Sequence, residues 1–182
     1  MSVPSTILTC DRCGFSSSTS RGSGNYKYLI EGKEVYVSKM LGWCQDCNNF
    51  QAIEHFDADR PWNEIIECRE EIERLKSRYL PWKNRRYIRY QQDTIEQNTQ
   101  LLYVFAKRKG SEKCLTCGSQ KIIPFDGDCS LKLDAEAYVY TGEKPTGFKH
   151  PGCGGEFVAT PAEVRLSLRR ATVYYDIAGN KL

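Results

Sequence analysis

Histidine and methionine are nearly absent from this chain of 182 residues, with two copies of each. An imidazole-based catalytic relay has only His55 and His150 to draw on, and neither stands in a pattern that pairs it with a nucleophile. Long hydrophobic runs are missing too. The longest, Leu101 to Ala106, falls far short of the roughly 18 residues a membrane-spanning helix requires, so no membrane partner is expected. The amino end, Met-Ser-Val-Pro-Ser-Thr-Ile-Leu-Thr-Cys, carries neither a basic segment nor an apolar stretch. No secretory signal is read there, and a reducing, cytoplasmic setting is the expectation. The Ser/Gly-rich segment from Gly14 to Asn25 lacks the Lys-Ser/Thr ending of a phosphate loop, and it reads as a flexible loop. Large apolar side chains are scarce: Leu, Ile, Val and Phe number 39, close to the level below which chains struggle to bury a core. Something besides hydrophobic burial is needed to hold such a chain together.

Cysteine is what the sequence has in quantity. Nine are present, too many for incidental packing and too few for a disulfide scaffold. Six form three Cys-x-x-Cys pairs, Cys10/Cys13, Cys44/Cys47 and Cys114/Cys117, and His150-Pro-Gly-Cys153 repeats the spacing with imidazole in place of one thiol. Each pair can give two ligands to a tetrahedral ion. The residue after each pair is Gly14, Asn48, Gly118 or Gly154, the residue types that best tolerate the positive φ of a knuckle wrapped around a metal-bound sulfur. Thirty residues separate the first two pairs and 32 the last two, so the chain reads as one unit written twice. On that reading Cys10, Cys13, Cys44 and Cys47 hold one structural zinc ion, and Cys114, Cys117, His150 and Cys153 hold a second. Four half-sites permit three pairings, and spacing alone does not choose among them. Both shells are closed, with no open position for water or substrate.

These knuckles resemble those of the zinc ribbon (rubredoxin-like) superfamily, over residues of about 5–57 and 111–177. The resemblance implies pairs of knuckles joined by short antiparallel strands, and it implies little about function, since ribbons serve many roles. The gaps of 30 and 32 residues exceed the usual ~15–20, so each must hold extra strand or loop. Other uses of the thiols exist. Trp43-Cys-Gln-Asp-Cys47 looks like the redox motif of thioredoxins, which places its first thiol at a helix start. Cys68, inside an amphipathic segment, reads as a small buried side chain, and Cys129 as a loop thiol.

The fold expected is α+β, with two zinc-ribbon-like antiparallel β units, residues 1–59 and 111–182, flanking an inserted helical hairpin, residues 60–110. Strands are expected at Thr6 to Cys10, at Tyr26 to Ile30 and Glu34 to Val37 around a turn at Glu31-Gly32-Lys33, and at Phe50 to Phe56. Further strands are read at Lys121 to Phe125, Leu131 to Tyr140, Val164 to Arg169 and Val173 to Tyr175, with a turn at Thr141 to Gly147. A first helix starts at Asp57 or Asp59 with Pro61 and presents Trp62, Ile65, Ile66, Ile72, Leu75 and Tyr79, with Glu70 and Arg74 one turn apart. Ile88, Ile95 and Leu102 seam a second, Lys83 to Lys109, which Gly110 closes.

Net charge is only +3, but residues 60–113 hold 13 basic and 8 acidic side chains. Arg78, Trp82, Lys83, Arg85, Arg86, Tyr87, Arg89 and Tyr90 bring cations and aromatic rings together without an acid among them. Such a segment contacts phosphates and stacks on bases, or packs a helical bend, or meets a protein partner. A sequence pI near 8.3 is modest for a dedicated nucleic-acid binder. The first reading is therefore a non-enzymatic, zinc-stabilised protein-binding adaptor or accessory subunit, the second a nucleic-acid-binding protein, and the third a thiol redox protein using Cys44 and Cys47. No small-molecule substrate is indicated.

Overall fold

A computed structural model describes residues 2–77, 84–163, 166–167 and 171–182. In chain order the described residues form β1 (Ser2–Val3), β2 (Thr6–Cys10), β3 (Ser16–Ser18), a 3-10 turn (Thr19–Gly22), β4 (Asn25–Ile30), β5 (Lys33–Tyr36), β6 (Lys39–Cys44) and β7 (Asn49–Glu54). Two helices follow, α1 (Asp59–Lys76) and α2 (Arg85–Arg108). The remainder is β8 (Ile122–Pro124), β9 (Lys132–Asp134), β10 (Val139–Thr141), β11 (Lys144–Lys149), β12 (Glu156–Pro161), β13 (Leu166–Ser167) and β14 (Thr172–Tyr175). The class is mixed α+β, with small antiparallel sheets and two helices. No helix among the described residues is long and apolar enough to cross a membrane.

The chain is read from its sequence as three successive blocks, whereas contacts divide it into two units, each assembled from three separate segments. The first comprises Met1–Asn25, Lys39–Glu54 and Lys113–Thr172, and it contains all four Cys/His pairs. A four-stranded sheet in the order β11-β12-β2-β3 and a three-stranded sheet in the order β7-β6-β8 form its frame. Leu8, Trp43, Phe50, Phe125, Phe148, Phe157 and Ala159 make one buried cluster with Cys10. Phe50 meets three of the rings edge to face, Trp43 at 5.3 Å, Phe125 at 5.6 Å and Phe157 at 4.8 Å. Gly14 to Asn25 is built rather than loose, because β3 pairs with β2 and the Ser17 hydroxyl donates to Asn49 at 2.6 Å. Leu131 to Tyr140 is a hairpin, not one strand: Asp134 accepts the amides of Glu136 and Ala137 and turns the chain, so β10 folds back on β9. The turn expected at Thr141 to Gly147 is mostly strand β11.

The second unit comprises Tyr26–Ser38, His55–Glu112 and Val173–Leu182. Its sheet runs β14-β4-β5. Glu31 and Gly32 both take positive φ, 50° and 80°, the twist a two-residue hairpin turn demands. The helices lie together as a hairpin. Pro61, Ile65, Cys68, Ile72 and Leu75 are the buried stripe of α1, whereas Trp62 and Ile66, expected on that stripe, are 55% and 40% exposed. Cys68 takes the inward place because it follows Ile65 by three residues, and Trp62 and Ile66 lie one step around the helix from Pro61 and Ile65. Arg74 pairs with Glu71 rather than Glu70. Phe56 stacks on Phe105 at 4.9 Å, with the Arg108 guanidinium 5.3 Å over the Phe56 ring. Gly110, at φ 75°, follows the end of α2. Tyr79 and most of Val164 to Arg169 lie outside the described residues.

Candidate metal centres

All four pairs end in the same backbone feature. The residue after the second ligand has positive φ in each: Gly14 71°, Asn48 45°, Gly118 76° and Gly154 72°. In three of them the backbone repeats bond for bond. Gly14, Gly118 and Gly154 donate to the carbonyls of Cys10, Cys114 and His150 at 3.0, 2.9 and 2.8 Å. The amides of Cys10, Cys114 and His150 in turn donate to Phe15, Ser119 and Gly155 at 2.8, 2.8 and 2.7 Å. The Cys44 knuckle closes differently, inside a hairpin: Asn48 donates to the Gln45 carbonyl at 3.1 Å and Cys44 is opposite Asn49. Such a turn aims amides at the first sulfur, as the Thr116 N–H does at Cys114 Sγ, 3.4 Å away.

The structure joins the pairs differently from the reading of one unit written twice. Cys10 and Cys13 meet His150 and Cys153, while Cys44 and Cys47 meet Cys114 and Cys117. The first pair thus closes with the fourth and the second with the third, one site nested inside the other along the chain. Strand pairing is the cause. β12 lies beside β2 with Phe157 opposite Cys10, which brings the His150 knuckle to the first knuckle. β8 lies beside β6 with Ile122 opposite Cys44, and an Ile53 to Cys114 bridge brings the third knuckle to the second.

The donors converge. In each cluster the ligand atoms all lie within 4.8 Å of one another. In the outer cluster Cys10 Sγ to Cys153 Sγ is 3.4 Å, Cys13 Sγ to His150 Nδ1 3.3 Å and His150 Nδ1 to Cys153 Sγ 3.2 Å. In the inner cluster Cys44 to Cys117 is 3.5 Å and Cys47 to Cys114 is 3.9 Å. A tetrahedral ion with sulfur ligands at ~2.3 Å and nitrogen at ~2.0 Å places its donors about 3.5–3.8 Å apart, so both clusters fit. All nine cysteines are free thiols, and these sulfur separations are far beyond a ~2.05 Å disulfide bond.

Electrostatics favour a cation at both places. Burial pushes the Cys114 thiol up to about 11 against the amides of Cys117 and Thr116. Burial likewise raises Cys47, helped by its neighbours Cys117 and Cys114. Cys10 and Cys117 go the other way: burial acts to raise them, and it is outweighed by backbone N–H donors, from Cys13 and Arg12 to Cys10 and from Ser119 to Cys117. Several thiols crowded together resist joint ionisation, and a divalent cation relieves that cost.

Other features were not legible as part of the site. Gly155 carries no positive φ, yet a Cβ there would lie 2.7 Å from Cys10 Sγ and 2.7 Å from Asp11 Oδ1, so only glycine lets the two outer knuckles close. Glu54, 2% exposed, accepts the Lys113 amide at 2.9 Å and donates its own to the Lys113 carbonyl, which seats the chain entering the third knuckle. His150 is enclosed by Phe15, stacked at 5.3 Å, and by Trp43 and Phe157, edge-on at 5.0 and 5.3 Å. Trp43 precedes Cys44 in the thioredoxin-like motif, but that motif forms the β6–β7 turn and no helix begins there, so it lacks the dipole that depresses a redox thiol. His55 is an exposed residue after β7, Cys68 is buried in α1, and Cys129 is half-buried against the aromatic cluster.

The basic, aromatic segment is only partly described. Arg78, Trp82 and Lys83 lie outside the described residues. Arg85, Arg86, Tyr87, Arg89 and Tyr90 are exposed on the first turns of α2, with the tyrosine rings 6.3 Å apart. Arg86, Tyr87 and Tyr90 border an open groove of about 820 Å³ with Leu75 and the Glu71–Arg74 pair of α1.

Two closed four-donor clusters, one of three thiols and an imidazole and one of four thiols, define the chain as a candidate carrier of two metal ions. No family model, curated protein or solved structure matches it.

Proposed function

We propose that the chain is a zinc-stabilised interaction protein in which two structural zinc ions hold a ribbon-like β platform together. One observation carries the metal reading: two sets of four donors, each spaced for a tetrahedral ion, in which Cys10, Cys44, Cys114 and His150 are buried. Thiolate-rich tetrahedral sets suit zinc, and four protein ligands leave no coordination position for chemistry. When bound, the ions supply folding free energy, since an unfolded chain has no preformed site. Native mass spectrometry of the reduced protein, with elemental analysis, is expected to give two zinc ions per chain. Protein purified without metal at either cluster overturns the reading.

A protein-binding adaptor is the role this arrangement supports best. Trp62, Tyr87, Tyr90 and Tyr103 expose 47–64% of their surface on the helical hairpin, and aromatic side chains of this kind anchor protein interfaces. Capture of a defined partner from the native host, lost on Trp62→Ala and Tyr90→Ala, tests it. A second reading rests on Arg85, Arg86 and Arg89 standing beside Tyr87 and Tyr90 in the open. If that face binds single-stranded nucleic acid, affinity falls steeply with salt, and changing the three arginines to glutamine flattens the slope. Absence of binding at low salt removes this second reading.

A further inference from the structure

One residue adjoins ligands of both candidate metal centres. Trp43 directly precedes Cys44, an inner ligand, and its ring lies 5.0 Å from the imidazole of His150, an outer ligand, at 65°. The indole is 1% exposed and also meets Phe15 at 5.4 Å, Phe50 at 5.3 Å and Phe157 at 6.0 Å. Its backbone is held on both sides, opposite Phe50 on β7 and Ile123 on β8. The strands that carry the inner ligands therefore also fix the indole. On the other side, Phe15 and Trp43 hold the imidazole stacked and edge-on, while its Nδ1 faces Cys13 and Cys153 at 3.3 and 3.2 Å.

We propose that Trp43 couples the two centres, so that a metal ion at Cys44, Cys47, Cys114 and Cys117 orients the His150 imidazole through the indole and raises the affinity of the outer centre for its own ion. The inference rests on the metal reading above. Coupling of binding free energies is reciprocal, so filling the outer centre strengthens the inner one by the same factor. Trp43 is a positioning residue here and touches no metal. A gain of roughly tenfold is expected, since an allosteric coupling spans about 5- to 150-fold and the contact consists of a few aromatic pairs.

The test is a titration of Zn²⁺ into the reduced, metal-free full chain, with the ion count read by native mass spectrometry. Co²⁺ absorption in parallel separates the thiolate-only centre from the thiolate–imidazole centre. Independent sites leave at least roughly half of the chains with one ion at half loading, and more where their affinities differ, so the coupling is read as a change between variants: tenfold coupling lowers the one-ion population relative to the geometric mean of the empty and two-ion populations about threefold. Trp43→Phe, which shortens the ring and leaves all eight donors in place, is expected to raise that ratio about threefold. In a His150→Cys chain, which keeps four donors at the outer centre but has no imidazole for the indole to orient, adding Trp43→Phe is expected to change nothing, because both act on one contact. Two outcomes overturn the coupling: a ratio that Trp43→Phe leaves unchanged, or one that it raises equally in the His150→Cys chain. Cooperativity arising only from global folding gives the first of these, and Trp43→Tyr, read in the same way, keeps the test available if Trp43→Phe folds poorly. Failure of the unaltered chain to take up either ion overturns the metal reading itself, and so is distinguishable from loss of coupling.

Discussion

The two units of the chain bury different chemistry. In the first, the large buried side chains are mainly aromatic, Trp43, Phe50, Phe125, Phe148 and Phe157, and they pack with Cys10 and Cys153 of the outer cluster. In the second they are mainly aliphatic, Ile30, Val35, Val37, Ile65, Ile72, Leu75 and Val104, on a hairpin of strands and a hairpin of helices. The strands of the first unit are at most six residues long, and its sheets have at most four strands. All eight donors are concentrated in this unit of short strands and small sheets, where metal ions would add to what hydrophobic burial supplies. The second unit has no such cluster among the described residues, and its helices run 18 and 24 residues. Leu, Ile, Val and Phe are scarce in both units, 20 of 101 residues in the first and 19 of 81 in the second, so the contrast lies in which side chains are buried rather than in composition.

Removing metal is expected to break this contrast most visibly. A chelator that strips both centres removes stabilisation on the order of 10 kcal/mol per ion, judged from small zinc domains. Hydrogen exchange should then lose protection in β2, β6, β7 and β12 while α1 and α2 keep theirs. Equal loss in both units would show that the second does not stand alone. The converse substitution is smaller. Ile72→Ala in α1 opens a cavity at a residue 6% exposed and is expected to cost roughly 2–5 kcal/mol, with two ions still bound by mass spectrometry. Loss of metal in that variant would mean that the two units share their stability.

Acid separates the units more gently. Thiolate ligands take up protons in competition with metal, so the first unit should release its ions as pH falls and unfold first. In the second unit the Glu34 carboxyl is held below the usual range by Lys27 and by the Tyr174 hydroxyl, which donates to it at 2.6 Å. A folded-state pKa below the unfolded one stabilises the fold above the ordinary value and loses that contribution as pH falls through the depressed value. Glu34→Gln should therefore lower stability slightly near neutrality and flatten the acid limb followed by the helical circular dichroism signal, with no effect on the ion count. An unchanged acid limb would remove Glu34 from the account.

Local features were legible to the degree that they depend on neighbours in sequence. The positive φ after each of the four ligand pairs, the Glu31-Gly32 turn, the end of α2 before Gly110 and the strand Thr6–Cys10 follow from residue types at fixed offsets. Trp62 and Ile66 were harder, because a periodicity near 3.6 leaves two adjacent faces open and only packing selects between them. The Ser-rich segment became strand β3 because β2 offers it a partner, something its own composition does not disclose. Gly155 and Glu54 act at the site through contacts with residues far away along the chain, so no offset pattern marks them.

What the sequence alone determined is the set of eight donors and the knuckle that presents each pair, because a knuckle is closed by hydrogen bonds spanning five residues. Which pairs converge was decided by tertiary structure. Thirty residues separate the first pair from the second and 136 separate it from the fourth, yet the difference in loop-closure cost is only about 1.3 kcal/mol. Spacing is too weak a force to choose. Strand pairing chooses instead, β2 with β12 and β6 with β8, since each ladder adds hydrogen bonds and buries aromatic rings, and together these outweigh that small entropic preference for near neighbours.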